Sequence, residues 1–415
     1  MSIVISDTEK QTLRALATRY MSYALSARND EKRELWRTLN NMNMQKPMVT
    51  INQIPWKELE IDESLLCTVN DRYFREVERK LRRYIYQWEH MPADMVLNPY
   101  IILPRPVSNT GFGMSVKRLE HGKDGSIRSY LFDDQFEEME DVDKIKTPVL
   151  ALNPEYEAEI LDVAEGIFDG IAPVRWGGIM LHSGLWDQVS FWKGVENCYI
   201  DLLDRPELIH AIMDRYTNAF IAQIEQINKL GVYNIEDNMC HCSYTFSDAL
   251  PTDSCDVEHP TTYDGWTFSM AQIFTSVSPS INEEFEVPYM SKIFSYFGSV
   301  YYGCCERLDD RLHIIDRMPN IRKISCSPWS DREHFAATLP KKYIMSNKPT
   351  PAYFVGATFD EEVVRKDLRR TIALAKQNDL CLELLLKDIS TVENDPTRLW
   401  RWSEIALEET MNSVL

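Results

Sequence analysis

Several features that would assign a chain to a familiar class are missing from this sequence of 415 residues. No apolar run reaches the roughly 18 residues that a membrane-spanning helix needs, so we expect no membrane segment. The opening residues, MSIVISDTEK, lack a basic region followed by an apolar core, and we therefore expect no secretory signal. We find no internal repeat and no low-complexity tract. No G-x-G-x-x-G follows a strand-like segment, which argues against a dinucleotide-binding fold.

Positive charge is also scarce, since 45 Lys and Arg stand against 64 Asp and Glu and give a formal net charge of −19. A nucleic-acid partner would need a basic face, so this balance argues against one. The acidic excess favours docking to a complementary protein surface. Nine cysteines, an odd number without a secretory signal, indicate reduced thiols and predict a cytoplasmic location. The sequence leaves the oligomeric state open, a homodimer included.

Helical patterns dominate the first ninety or so residues. Apolar positions recur at near-helical spacing through residues 6–45, and REVERKLRRYIYQWEH (75–90) is a second amphipathic pattern. KPMVTINQIPW (46–56) between them is typical of a short β-stretch closed by a proline. We therefore predict a helical N-terminal extension, residues 1–90, packed on a second region, residues 91–415, as a single structural unit. Further helices are predicted at 154–169 and 205–230.

The C-terminal part alternates between strand-like and helix-like segments. Four β-rich segments follow in series, namely SVYYGCC (299–305), IRKISCS (321–327), KKYIMSN (341–347) and LCLELLLKD (380–388). The segments between them carry apolar residues every three to four positions, and such alternation requires parallel strands with helical crossovers. The predicted fold class is α/β, a (β/α)₈ TIM barrel with helical N-terminal additions, and an open doubly wound sheet is the alternative.

All four predicted strands end on polar residues. In a barrel of this kind the reacting groups lie at the C-terminal ends of the strands. One polar strand end is ordinary, but four in series predict a polar pocket. The residues at these ends include Cys304, Cys305, Glu306, Ser325, Ser327, Asn347, Lys387 and Asp388. From this set we predict Glu306, Lys387 and Asp388 as catalytic residues and Asn347 as a substrate contact, while an internal Lys387–Asp388 ion pair stays an alternative.

Three segments resemble the uroporphyrinogen decarboxylase superfamily, a barrel family that includes zinc-dependent, corrinoid-linked methyltransferases. SVSPSINEEFEVPYMSKIF (276–294) is similar to the family's helix that opens with Ser-Pro and carries a later Pro-Tyr. YYGCCE (301–306) lies where the family has a strand ending in His-x-Cys-Gly. IMSNKPTP (344–351) is similar to its Gly-Asn-x-x-Pro strand end. The resemblance implies a uroporphyrinogen decarboxylase-like barrel over most of the chain after about residue 150.

Departures from the family's pattern bear on substrate and metal. The decarboxylases carry arginines in an N-terminal strand motif for the carboxylates of their tetrapyrrole substrate. KPMVTINQIPW has none, which argues against that substrate. The zinc-dependent branch binds its metal through His-x-Cys and a later cysteine. Here Cys305 matches the first cysteine, Gly303 replaces the histidine, and the later position falls near Lys387 and Asp388.

Candidates for the missing zinc ligands lie in NIEDNMCHCSY (234–244). Cys305 with His241 and Cys242 would form a three-ligand site with an open fourth position, as catalytic zinc requires, and Glu236 is an oxygen-ligand alternative. Neighbouring side chains of a strand point to opposite faces, so only one of Cys304 and Cys305 should face the barrel axis. The resemblance favours Cys305, with Cys304 as a small buried hydrophobe behind the strand, although Gly303 could disturb the alternation.

Other polar and aromatic side chains are candidates for contact with a substrate. His182 follows an apolar segment in GGIMLHSGLW, and Asp264 and Trp266 stand at a further predicted strand. Trp186 could belong to an aromatic pocket for a methoxylated or methylamine-like substrate. Each has a structural alternative, namely a satisfied histidine, an Asp-capped turn or core packing.

The resemblance and the predicted pocket favour a methyltransferase component. It would move a methyl group from a small methylated substrate, methoxy-aromatic or methylamine-like, to the cobalt of a separate corrinoid protein. The sequence lacks the cobalamin-binding motif Asp-x-His-x-x-Gly, so the partner would carry the corrinoid. A metal-independent decarboxylase or other lyase is the alternative enzyme, and a non-catalytic small-molecule binding protein stays open.

Overall fold

The computed structural model describes residues 3–121 and 129–413. Its helices are α1 (Asp7–Ala24), α2 (Ala27–Asn40), α3 (Trp56–Leu59), α4 (Arg72–His90), α5 (Pro154–Phe168), α6 (Leu185–Lys193), α7 (Val195–Asp204), α8 (Pro206–Leu230), α9 (Pro279–Phe285), α10 (Val287–Phe294), α11 (Leu312–Ile315), α12 (Arg332–Thr338), α13 (Glu361–Gln377) and α14 (Thr397–Asn412). Its strands are β1 (Met48–Ile51), β2 (Ile101–Pro104), β3 (Val107–Asn109), β4 (Arg118–His121), β5 (Ser129–Phe132), β6 (Leu150–Leu152), β7 (Val174–Gly177), β8 (Met239–Cys240), β9 (Ser243–Tyr244), β10 (Trp266–Ser269), β11 (Ser299–Tyr302), β12 (Ile321–Cys326), β13 (Ile344–Asn347) and β14 (Leu382–Leu386).

A parallel sheet of six strands lies at the centre of the molecule, in the order β1-β14-β13-β12-β11-β10. The four strands predicted in the C-terminal part are β11 to β14, and they are adjacent and parallel, which confirms that part of the prediction. The predicted helices at 154–169 and 205–230 are confirmed as α5 and α8. Parallel pairing brings the carboxyl ends of the strands to one edge, called the mouth below.

Within the described parts of the chain, the sheet continues past β10 through short pairings only. His182 bridges to Phe268 and Ile179 to Tyr233, both in parallel, and β7 pairs with β2 in parallel. The fold is therefore α/β and barrel-like, but within residues 3–121 and 129–413 the hydrogen bonds do not give the eight-stranded barrel that the sequence predicted. The segment 48–51, which lies within the predicted N-terminal extension, is an edge strand of the central sheet and pairs with β14.

A β-hairpin made of β8 and β9 fills the inside of the curved sheet. Cys240 and Cys242 from this hairpin pack against inward-facing side chains of the sheet, which include Trp266, Phe268, Tyr301 and Leu385. The hairpin is attached to β1, because the Thr50 hydroxyl and the Asn52 amide both donate to the carbonyl oxygen of Cys242, at 2.8 and 3.1 Å. The hairpin is thus part of the packed core inside the sheet.

The N-terminal helices cover one side of the sheet and the end at which its strands begin. The α1 helix begins with a capping box, in which Ser6 and Glu9 accept hydrogen bonds from each other's backbone N–H groups. Its apolar face packs against α4 and α5. Trp36 and Leu39 of α2 pack on the first residues of β1 and β13, at the amino ends of the strands. Among the described residues, no helix combines the length and apolar character needed to cross a bilayer.

The ion pair of Lys323 and Glu383 lies inside the barrel-like core. The Nζ of Lys323 on β12 lies 2.8 Å from a carboxylate oxygen of Glu383 on β14, and both side chains are fully buried. Lys323 also donates to the Ser243 hydroxyl at 2.5 Å and to the carbonyl oxygen of Tyr244 at 3.1 Å. Burial lowers the pKa of Lys323, and the charge of Glu383 opposes that shift. The pair therefore ties two strands and the hairpin together.

Replacement of Lys323 by Met should lower the free energy of unfolding by about 3–5 kcal/mol, because Glu383 is left as a buried charge without its partner. The double variant Lys323→Met/Glu383→Leu should recover most of that loss, since it removes both charges. Urea unfolding followed by circular dichroism measures both values. If the double variant were as unstable as Lys323→Met, the unpaired charge of Glu383 would not be the cause of the loss.

Candidate active site at the barrel mouth

A left-handed turn at Gly303 sets the geometry of the mouth. Gly303 follows β11 directly and has φ of +93°. A Cβ atom on this residue would lie 2.5 Å from Cδ1 of Leu308 and 2.9 Å from Cβ of Ser325, so the position has no room for a side chain. Beyond this turn the alternation of strand faces ends. Cys304 is buried and Cys305 half-buried, and their sulfur atoms lie 3.5 Å apart.

The orientation predicted for Cys304 is wrong. Its sulfur faces into the mouth, where it accepts a hydrogen bond from Nζ of Lys387 at 2.7 Å. The prediction assumed that strand alternation continues past Tyr302, whereas the turn at Gly303 brings both cysteines to the same side.

Cys304 is held as a thiolate. Its pKa is lowered first by a hydrogen bond from the Cys305 thiol, then by one from His241, and by the charges of Lys348 and Lys387, while burial opposes the shift. The same hydrogen bond raises the pKa of Cys305, which therefore stays a neutral donor. A thiolate is a stronger nucleophile and metal ligand than a thiol, so Cys304 is better suited to either role than Cys305.

Two buried lysines balance the charge of Cys304. Burial opposes the charge of Lys387, but the attraction of the Cys304 thiolate outweighs it, so the pKa of Lys387 is raised. Lys348 follows β13 and donates to the carbonyl oxygens of Gly303 and Cys304, at 3.2 and 2.7 Å. Lys348 thereby fastens the turn as well as stabilising the thiolate.

Asp388 adds a carboxylate to the two sulfurs, and the three side chains form a compact group of atoms of the types that bind metal ions. The carboxylate of Asp388 lies 3.0 Å from the sulfur of Cys305, where it shares the single thiol proton of Cys305 with Cys304, and 3.2 Å from Nζ of Lys387. Donor atoms of Cys304, Cys305 and Asp388 all lie within 4.8 Å of one another. Two thiolates bound at about 2.3 Å to a tetrahedral zinc lie about 3.8 Å apart, so the two sulfurs are already near that spacing.

The predicted zinc ligands are only partly brought together. His241 reaches the mouth, where its ring stacks on Phe268 with centroids 3.8 Å apart and its Nε2 lies 3.1 Å from Nζ of Lys387. Burial lowers the pKa of His241 to about 4, so it is neutral at pH 7. Cys242 lies in the packed interior, and burial raises its pKa to about 12. Glu236 does not fit the predicted site, because its carboxylate pairs with Arg175 at 3.1 Å.

Glu306, predicted as catalytic, holds the turn. Its carboxylate is buried and accepts hydrogen bonds from the backbone N–H of Cys304 at 2.8 Å and of Ala271 at 3.3 Å. Burial and the charge of Cys304 raise its pKa. These contacts make Glu306 a positioning residue for Cys304.

Asp187 is a candidate proton donor that the sequence gave no reason to select. It lies in the first turn of α6, and burial together with the charge of Glu306 raises its pKa to about 7. The charge of Cys304 contributes in the same direction. A carboxyl with a pKa near neutrality, within range of the charge of a thiolate, suits acid–base work. Its pKa depends on Glu306 and Cys304, which lie more than a hundred residues later in the sequence, so no local pattern reveals it.

The residues predicted to contact a substrate lie in different parts of the fold. His182 is exposed and stacks on Phe268 with centroids 4.8 Å apart, and Trp266 faces the interior. Trp186 is a core residue whose indole N–H donates to the carbonyl oxygen of Phe285 at 2.9 Å, and Asn347 is buried at the end of β13. Trp186 is therefore part of the packed core, which was the structural alternative for this residue.

Asp264 does not fit a substrate contact either. It precedes β10, at the amino end of the sheet, and caps a turn by accepting hydrogen bonds from the hydroxyls of Thr252 and Thr261 at 2.7 and 2.8 Å. The capped turn was the structural alternative for this residue.

Comparison with known proteins gives little beyond these observations. No protein-family model matches the chain, and no curated protein matches it. Among solved structures, the chain is similar to a methyltransferase from Methanosarcina mazei, with 12% sequence identity and a TM-score of 0.49 over 91% of this chain and 97% of that one. A similarity of this degree does not assign a function.

Replacement of Gly303 by Ala should destabilise the protein and disturb the thiols. The new Cβ meets Leu308 and Ser325, and the left-handed backbone adds about 1–3 kcal/mol of strain. Gly111→Ala is the matched control, because Gly111 has φ of +70° but nothing within 4 Å of its Cβ position. We expect a clearly larger fall in melting temperature for Gly303→Ala. Equal falls for the two variants would show that the space around Gly303 is not restrictive.

Replacement of Lys387 by Met should raise the pKa of Cys304, since the nearest positive charge is removed. The rate of alkylation by iodoacetamide, followed by mass spectrometry against pH on chelator-treated protein, should shift its midpoint upward by at least about one pH unit, equivalent to a tenfold lower thiolate fraction below the midpoint. Lys341→Met, which removes an exposed lysine paired with Asp379, should leave the midpoint unchanged. An unshifted midpoint for Lys387→Met would mean that this lysine does not hold the thiolate.

Proposed function

We propose that the chain is a methyltransferase that moves a methyl group from a small methylated substrate to the cobalt of a separate corrinoid protein. The observation that carries the proposal is the thiolate, thiol and carboxylate of Cys304, Cys305 and Asp388, which meet at the carboxyl ends of β11 and β14. Two segments that resemble the uroporphyrinogen decarboxylase superfamily, 301–306 and 344–351, supply the cysteines and Lys348. The net charge of −19 suits a transient interface with a complementary partner.

The donor set suits zinc as the resident metal. Cys304, Cys305 and Asp388 offer two sulfurs and one oxygen, which are ligands that Zn²⁺ accepts, and three protein ligands leave a fourth position for substrate. The ammonium of Lys387 neutralises two of these donors at 2.7 and 3.2 Å, so a dication would compete with it. When bound, Zn²⁺ would supply a Lewis acid for the heteroatom of the methyl donor.

The protein's own groups would orient the donor and move a proton. In the transfer, the bond between the methyl carbon and its heteroatom breaks, and the carbon bonds to Co(I) of the partner through the electron pair of the cobalt. The heteroatom keeps the bonding pair and takes up a proton. Asp187, with its pKa of about 7, is the group that can give this proton. Lys348 and Glu306 hold the backbone of Cys304 in place during the transfer.

A mixing assay tests the proposal. Reduced corrinoid protein or free cob(I)alamin is mixed with this protein and methoxy-aromatic, methylamine or methylthiol donors, and methylcobalamin is followed by its absorbance. We expect methylation only when enzyme and donor are both present. Cys304→Ser, Cys305→Ser and Asp388→Asn should each lose bound zinc, measured by mass spectrometry of the metal, and at least about 10²-fold in rate, because serine and asparagine are poorer zinc ligands.

The matched control is Cys381→Ser, a half-buried cysteine outside the mouth, which should keep both zinc and activity. No methylation with any donor would refute methyl transfer to cobalt. Full activity in the three mouth variants would refute the site.

The position of Lys387 favours a second candidate, a lyase that needs no metal. Its ammonium lies between Cys304, Asp388 and His241, where it could bind the carboxylate of a substrate. Decarboxylation by chelator-treated protein, lost in Lys387→Met, would support this candidate over the first. A protein that binds ligands but turns over none of them would be the non-catalytic binding protein.

A further inference from the structure

A cavity lies between the N-terminal helices and the hairpin, and neither thiol of the mouth lines it. It has a volume of about 40 Å³ and is lined by residues of α1, α4, the β2 region and the segment that leads into β8. An adjoining cavity of about 200 Å³ shares Lys80, Tyr84, Met239 and Tyr244 with it. The two together form one recess, called the α4 recess below.

A carboxylate without a partner faces the inner part of the α4 recess. Asp237 lines it, and among the described residues no donor makes a hydrogen bond or an ion pair to its side chain. Burial raises the pKa of this group, and Lys80 is the charge that opposes the shift. Lys80 itself is exposed. Asp237 is half-buried, so its carboxylate has lost part of its contact with water without gaining a partner in the protein, and a bound cation would supply that partner.

Four tyrosines line the same cavity as the carboxylate of Asp237. Tyr20, Tyr84, Tyr100 and Tyr244 line the same inner cavity, and the rings of Tyr20 and Tyr84 have centroids 6.2 Å apart. Hydrogen bonds fix the hydroxyls of Tyr100 and Tyr244, which donate to the carbonyl oxygens of Glu236 and Val96. Tyr100 already has the guanidinium of Arg175 4.3 Å from its ring centroid. The faces of such rings attract cations, and more strongly where water is excluded.

We propose that the α4 recess binds a small ammonium ion, primary or N-methylated, with its charge paired to Asp237 and its substituents against the rings of Tyr20, Tyr84 and Tyr244. A volume of about 40 Å³ holds a headgroup of only a few heavy atoms. The larger part of the recess, with Arg83 stacked over Trp56 at 5.0 Å, accepts the remainder of the ligand. This inference goes beyond the proposed function and does not depend on it.

The outer part of the recess leads towards the mouth. Asn52 and Gln53 line it, and Gln53 accepts a hydrogen bond from the backbone N–H of Asp388 at 3.1 Å. Lys80 and Arg83 stand beside this outer part as positive groups. A ligand with an acidic group at the far end from its ammonium would contact both charges of the recess, so it should bind more tightly than the simple ion.

Calorimetric titration of the full-length protein tests the site. The probes are trimethylammonium, its neutral analogue tert-butanol, the oversized tetraethylammonium, and N-trimethylglycine as the ion with an acidic group. We expect trimethylammonium to bind, at least tenfold more tightly than tert-butanol and tetraethylammonium, and N-trimethylglycine to bind more tightly still. Equal affinity for tert-butanol and trimethylammonium would refute a cation site. Equal affinity for N-trimethylglycine would refute the role of Lys80 and Arg83.

Variants separate the contributions. Asp237→Asn and Tyr84→Leu should each weaken trimethylammonium binding at least tenfold, whereas Tyr84→Phe should keep most of it because the ring remains. Glu236→Gln is the matched control, since it removes the same charge one residue away, where the carboxylate pairs with Arg175. Circular dichroism melting confirms that each variant is folded. Unchanged binding in Asp237→Asn, or equal loss in Glu236→Gln, would overturn the proposal.

Cys304→Ser should bind trimethylammonium with unchanged affinity, because the recess and the thiols are built from different residues. The two proposals can therefore fail separately. An absence of methyl transfer would not contradict the ammonium site, and an absence of ammonium binding would not contradict methyl transfer. A loss of ammonium binding in Cys304→Ser would show that the recess is not independent of the mouth, which contradicts the inference.

Discussion

The mouth of this protein depends on how the backbone of Cys304 is held. Its N–H donates to Glu306, and its carbonyl oxygen accepts hydrogen bonds from both Ser325 and Lys348, at 2.8 and 2.7 Å. These contacts come from β12, from the end of β13 and from the chain just after the turn, so three parts of the sequence converge on one peptide unit. The left-handed turn at Gly303 makes that convergence geometrically feasible.

Charge inside the core is arranged in two layers. The layer farther from the mouth is the Lys323–Glu383 pair, and the layer at the mouth is the Cys304 thiolate with Lys387 and Lys348. Apolar side chains such as Leu385 stand between these layers. Each layer pairs opposite charges within itself, which is how buried ions become tolerable in a medium of low dielectric constant.

Local patterns were enough to predict the parallel strands β11 to β14 and the polar character of their ends, because strand alternation and apolar spacing are written in consecutive residues. They could not predict that Cys304 faces the mouth, since one left-handed glycine decides it. The raised pKa of Asp187 and the unpaired carboxylate of Asp237 were equally hidden, because each depends on burial by residues far away in sequence. Glu236 was misplaced for the same reason, as its partner Arg175 belongs to β7.

The hairpin of β8 and β9 carries a consequence for how this protein can change over evolution. Ser243 and the carbonyl oxygen of Tyr244 bind Lys323 at the base of the core, while His241, two residues earlier, touches Lys387 at the mouth. The contacts with Lys323 and with Lys387 thus lie on the same short stretch of backbone, on either side of Cys242. A substitution at Lys323 that moves the hairpin is therefore expected to move His241 as well, so the buried ion pair and the mouth would not change independently.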